Sequence, residues 1–148
     1  MPSPEDLHGA WHLRRFVITF DDGRAALHPL GADARGLLIY SPDGWMSAVL
    51  SRGDRGPLGV ARLERSAAAP PEAKARAFDS YLSYAGTWRL DGEQVVHQVT
   101  LAQTPELVGQ ENRRVARLDG DGLTLSYRLV ARSGVGRTYA LSWSRAHA

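Results

Sequence analysis

Over residues 11–20 the chain reads WHLRRFVITF, rich in β-branched and aromatic side chains, and ends at Asp21-Asp22-Gly23, which predicts a strand and a turn. Residues 36–40 and 45–50 are apolar-rich runs on either side of Ser41-Pro42-Asp43-Gly44. Proline presets φ there and glycine admits a positive φ, so a tight hairpin joins two strands. Glycines and prolines then interrupt residues 51–70 and predict an irregular connection. From Pro71 the period changes: PEAKARAFDSYL opens with proline, is rich in alanine, and puts Ala77, Phe78, Tyr81 and Leu82 on one face. A helix over about 71–83 follows. Five more strand patterns, at 84–90, 94–102, 109–118, 123–131 and 137–145, are separated by Asp91-Gly92, Thr104-Pro105, Asp119-Gly120-Asp121-Gly122 and Ser133-Gly134. Eight strands with short connections predict a mainly β protein, an eight-stranded antiparallel up-and-down barrel with one helix, as a single domain over residues 1–148.

Alternation within each strand assigns its inner face, because residues two apart point the same way. Val95, His97, Val99 and Leu101 share one face of the fifth strand; Leu123, Leu125, Tyr127 and Leu129 share one of the seventh. Tyr139, Leu141 and Trp143 align in the eighth, and Tyr84, Gly86, Trp88 and Leu90 in the fourth. In the sixth, the register that turns Ala116 and Leu118 inward also turns Asn112 and Arg114 inward. An inward arginine needs a hydroxyl, a carboxylate or a ligand as partner.

Composition narrows the chemistry. The 148 residues contain 0 cysteines, which removes disulfides, thiolate metal sites and cysteine nucleophiles, and the five histidines form no HExxH or HxH pair. No metal and no cofactor is expected, since P-loop, GxSxG and GxGxxG motifs are lacking too. A net charge of +2 with scattered arginines is a poor footprint for nucleic acid. No apolar run approaches the roughly 18 residues of a membrane span. The polar, acidic Met1-Pro2-Ser3-Pro4-Glu5-Asp6 is unlike a secretory signal, so the expected address is cytoplasmic.

The motif order resembles the lipocalin-like domain family, bacterial and fungal single barrels of the calycin group. The resemblance rests on Leu7-His8-Gly9-Ala10-Trp11 with its Gly-x-Trp start, the hairpin from Gly36 through Tyr40-Ser41-Pro42-Asp43-Gly44-Trp45-Met46-Ser47-Ala48, Ser83-Tyr84-Ala85-Gly86-Thr87-Trp88, Val95-Val96-His97, and the closing Leu141-Ser142-Trp143-Ser144-Arg145. It implies a barrel with an internal pocket, and a structural cap in which Arg145 packs over Trp11. It implies function more loosely: related barrels carry small apolar molecules, and some lipocalin-like proteins are cofactor-independent cyclases or isomerases.

Two function classes follow. In one, a cofactor-free enzyme folds a polyketide- or polyene-like metabolite against aromatic walls and cyclises or isomerises it; in the other, the barrel binds or carries such a small hydrophobic molecule without chemistry. His97, Arg114 and Tyr127 are the candidate catalytic groups: an imidazole able to move a proton, a guanidinium able to clamp a carboxylate or stabilise an oxyanion, and a phenol. The alternative for each is structural: a core histidine, an ion-paired strand residue, a packed tyrosine. Tyr84, Trp88, Asn112, Tyr139, Trp143, Trp45 and Met46 are the candidate ligand-binding residues, the tryptophans offering a π-rich wall. The expected partner is a small hydrophobic organic molecule, with neither nucleic acid nor membrane; a homodimer is compatible with this reading.

Overall fold

In the computed structural model, which describes residues 1–60 and 62–148, eight strands follow one another along the chain. They are β1 (Gly9–Phe20), β2 (Arg35–Tyr40), β3 (Trp45–Ser51), β4 (Tyr81–Asp91), β5 (Gln94–Ala102), β6 (Glu111–Asp119), β7 (Gly122–Val130) and β8 (Gly136–Arg145). Each pairs antiparallel with its sequence neighbour, and β1 pairs with β8, so the sheet closes and leaves no free edge. The expected up-and-down barrel is the fold.

The two ends of the barrel differ. Residues 41–44, 92–93 and 120–121 make tight turns at one end, whereas the connections 21–34, 103–110 and 131–135 and the described residues of the β3–β4 connection, 52–60 and 62–80, lie at the other. The tight-turn end is sealed by α1 (Pro4–Leu7), a four-residue helix that local pattern did not announce. Its first turn is tied by Asp6, whose carboxylate accepts from the Ser3 amide at 2.8 Å and hydroxyl at 2.9 Å. Its last carbonyls lie beyond the reach of any helical partner and are taken by the barrel. Trp11 Nε1 donates to Leu7 O at 3.0 Å, and the Arg145 guanidinium donates to His8 O and Asp6 O, both at 2.8 Å. Arg145 also lies over the Trp11 ring, 4.1 Å from its centroid, as the cap inferred from the resemblance requires. Gly9, at φ +110, makes the turn from α1 into β1, a conformation that a side chain would strain.

The helix is shorter than expected. α2 spans Pro71–Asp79, not 71–83, and leads into β4 at the end opposite the cap. Tyr81 and Leu82 pair instead with Ser51 and Leu50 of β3, because closing the barrel ladder outweighs the weak preference of an alanine-rich stretch for helix. Two short 3₁₀ turns, Leu63–Ala68 and Pro105–Leu107, complete the wide-end connections. β6 starts at Glu111 rather than 109, since Gly109 sits at φ +88.

A β-bulge revises the expected inner face of β5. Gly86 pairs with Val99 but Ala85 with Leu101, so Thr100 is the extra residue and the alternation beyond it is reversed. Val95, His97 and Val99 are buried as expected, while Leu101 turns outward and is 70% exposed. A second bulge at Arg14 shifts β1 so that Phe16 takes the inner face after Trp11 and Leu13. Leu129 is also exposed, near the wide end of β7. No helix among the described residues is long and apolar enough to cross a membrane.

Candidate functional site

Inside the barrel, between the sealed end and the wide end, lies a cavity of about 100 Å³. Most of its wall is apolar, with Phe16, Leu38, Leu50, Leu82, Leu125 and Leu141 among its lining. Tyr84, His97, Arg114, Tyr127 and Trp143 contribute its polar groups. Its volume is below the roughly 300–1,000 Å³ usual for sites that take drug-sized molecules. A wider cleft of about 550 Å³ lies between α2 and residues 52–57, but its Arg52 is bound to Asp54, and its Arg55 donates to Ser80 Oγ and Ala77 O. That cleft is held together by its own polar groups, so the interior cavity is the better site.

His97 is the centre of a buried three-residue chain. Its Nε2 lies 2.7 Å from Tyr40 Oη and its Nδ1 2.8 Å from Tyr84 Oη, and its own exposure is 1%. Burial, with the positive Arg114 nearby, pushes its pKa down to about 3, so the imidazole is neutral near pH 7. A neutral imidazole donates from one nitrogen and accepts at the other, and the surroundings decide which. Tyr40 is fully buried, and among the described residues His97 is its only side-chain hydrogen-bond partner. If Tyr40 accepted from His97, its own proton would be buried without an acceptor, at a cost of about 1–3 kcal/mol. Tyr40 therefore donates to Nε2, Nδ1 carries the ring proton and donates to Tyr84, and Tyr84, which lines the cavity beside the Asn112 side chain, keeps its own hydrogen to give. Burial raises the Tyr84 phenol pKa, with Arg114 and the Asn112 side chain drawing it back, and burial raises that of Tyr40 well above the ordinary value.

Arg114 lies across the cavity wall from a carboxylate-free neighbourhood. Its guanidinium stacks over Tyr127, 3.9 Å from the ring centroid, and donates to the Arg113 carbonyl at 2.9 Å. Tyr127 in turn stacks on Tyr139, centroids 4.5 Å apart and planes at 8°, and Arg137 lies 5.6 Å from the Tyr139 centroid. Each tyrosine of this pair thus has an arginine against it, and among the described residues no carboxylate comes within 4 Å of either cation. Adjacent Arg113 is different: it faces outward and binds Asp91 and Glu111.

The other expected site residues divide. Trp143 lines the cavity, and its Nε1 is buried without a hydrogen-bond partner. Tyr139 reaches the site through its stack on Tyr127, and Asn112 through Tyr84. Trp88 is not on the cavity wall: it packs on Tyr40 and His8, and its Nε1 donates to Ser41 O at 3.0 Å, which fastens the hairpin at the sealed end. Met46 is core packing, outside the cavity lining. Trp45, 55% exposed, points away from the interior, because it opens β3 on the face opposite Met46 and Ala48. Trp11 and Arg145 form the cap. Tyr40 was missed, although alternation with Leu38 along β2 places both on one face. Among the described residues no three His, Cys, Asp or Glu side chains gather as a metal ligand set would.

Comparison with known proteins gives a family match over nearly the whole chain: residues 8–146 fit the model of a lipocalin-like domain. No curated protein and no solved structure matches significantly.

Proposed function

The chain belongs to the lipocalin-like domain family, and on that footing we propose that its barrel binds a small hydrophobic molecule in the cavity at Tyr84, Arg114 and Trp143. The observation that carries this reading is an apolar cavity, closed at one end by α1, with hydrogen-bonding groups confined to one set of side chains. Apolar walls supply affinity and the few polar groups fix orientation. At about 100 Å³ the cavity takes a compact molecule as it stands, and a longer polyketide- or polyene-like metabolite requires wall side chains to move. Titration of the full chain with Nile red, a neutral apolar dye, and with small aromatic compounds tests this. Saturable quenching or shift of tryptophan emission, weakened by Leu125→Trp filling the cavity, is the expected result. Emission that changes without saturation, or that Leu125→Trp leaves unaltered, overturns it.

A second reading, cofactor-independent cyclisation or isomerisation, draws support from the Tyr40–His97–Tyr84 chain, which holds a phenol with a hydrogen to give at the cavity wall. In that reading Tyr84 is the group that donates to a substrate carbonyl, Arg114 steadies the resulting oxyanion, and Tyr127 packs against the guanidinium. His97, neutral and fully bonded, positions Tyr84 instead of exchanging a proton with the substrate. Such a reaction would rest mainly on orientation inside the barrel. The same reading expects a cytoplasmic protein that acts without nucleic acid or membrane.

A further inference from the structure

Three polar groups of the cavity, Arg114, Trp143 and Tyr84, have hydrogens to give. Arg114 carries guanidinium hydrogens, can accept nothing, and has only a main-chain carbonyl and a π face as partners. Trp143 lines the cavity and is 3% exposed, and its Nε1–H, a donor only, has no partner. Tyr84, beside the Asn112 side chain, has its oxygen occupied by the His97 ring proton and keeps its own hydrogen to give. His97 itself offers nothing more, since both nitrogens are bonded to tyrosines. At the wide end Arg137, against Tyr139 of the tyrosine pair, adds a second cation whose Nε is buried and unpartnered. Buried donors normally find acceptors, and a half-buried cation in an apolar wall normally has a counter-charge. Both requirements are unmet by the protein and would be met together by one occupant.

We propose that the molecule held in this barrel is a small apolar acid, whose carboxylate is received by Arg114 with Tyr84 and Trp143 as further donors, and whose hydrocarbon part lies against Phe16, Leu50, Leu82 and Leu125. The inference rests on the binding function proposed above and specifies its ligand class. A carboxylate has the acceptor sites for several donors at once, and a guanidinium matches it in charge and plane. A neutral amide of the same size has one acceptor oxygen in place of a carboxylate's two and no charge to answer the guanidinium. Arg137 near the mouth adds attraction for an anion along the route in.

The test compares matched acids and amides on the full chain: cinnamate against cinnamamide and octanoate against octanamide, by calorimetry and tryptophan emission. The acids are expected to bind about ten- to hundredfold more tightly, the usual worth of one charge-assisted hydrogen bond set. Arg114→Met should weaken each acid far more than its amide and bring the two together, and Arg114→Lys should restore part of the preference. The wild-type comparison needs no variant, so misfolding of Arg114→Met cannot shelter the proposal. Acids that bind no better than their amides, or a preference that survives in folded Arg114→Met, overturn the anion assignment while small-molecule binding stands. If neither member of either pair binds and Nile red does not saturate, the binding function itself is overturned, and the ligand class with it.

Discussion

Gly86 and Gln98 meet backbone to backbone across β4 and β5: a Cβ built on Gly86 would stand 1.8 Å from the Gln98 carbonyl oxygen. This approach sits beside the bulge at Thr100 that turns Leu101 out of the barrel. The same stretch of β4 carries Tyr84 inward two residues earlier.

Gly86→Ala is therefore expected to be strongly destabilising. The obstacle is main chain, not a flexible side-chain end, so the strands must part or the bulge must move. The loss should be at or above the upper end of the 1–3 kcal/mol typical of overpacking, read as a lower urea midpoint. A variant of near wild-type stability would show that the two strands are not held this close.

Tyr40→Phe and Tyr84→Phe should separate in their effects. Removing Tyr40 leaves His97 Nε2 buried without a donor, which should cost about 1–3 kcal/mol, whereas Tyr84→Phe leaves an Nδ1–H facing the cavity and should cost less. Nitrogen-15 chemical shifts of the His97 ring check the premise directly. A neutral ring protonated at Nδ1 is expected near pH 7, and an Nε2–H tautomer would reverse the assignment of which tyrosine donates.

The His97 pKa, lowered from 6.5 to about 3, makes stability depend on acid in a defined window. Between those values the unfolded chain binds a proton at this ring and the folded chain does not, so stability falls as pH drops. The slope approaches about 1.4 kcal/mol per pH unit inside the window and is absent above it. Surface carboxylates held low by neighbouring arginines, such as Asp91 and Glu111, add acid sensitivity of their own, but equally in wild type and His97→Gln. Urea midpoints at pH 7.5, 5.5 and 4.5 should show the two proteins converging as pH falls. A constant difference would mean that His97 titrates normally in the fold.

Arg145→Ala should lower the melting temperature while leaving ligand affinity per folded molecule unchanged. Its guanidinium serves the carbonyls of Asp6 in α1 and of His8 just after it, and the Trp11 ring, at the sealed end, away from the cavity lining. Charged hydrogen bonds contribute about 1.5–3 kcal/mol each, and Arg145→Lys should recover only part because an ammonium lacks the planar guanidinium that lies over the Trp11 ring and its fixed fork of N–H groups. Unchanged stability with lost binding would move Arg145 from the cap to the site.

The sequence alone determined the strands, their hairpins and the barrel, because period-two alternation and turn residues are local signals; the Trp11–Arg145 cap came from the resemblance to the lipocalin-like family. It also brought His97, Arg114, Tyr127, Tyr84 and Trp143 to one inner surface, since each faces inward by simple alternation in an unbroken stretch of strand. What it left to the tertiary structure depends on which strand lies opposite. The turn of Leu101 outward follows from the pairing of Gly86 with Val99, the end of α2 at Asp79 from the pairing of Tyr81 with Ser51, and the place of Trp88 at the sealed end from Ser41 and Tyr40. The partnering of His97 by Tyr40, 57 positions earlier, arises only when the sheet closes around both. Whether Arg114 has a counter-charge is likewise a property of the packed interior, and it is the unmet charge there, not the residue type, that points to the ligand.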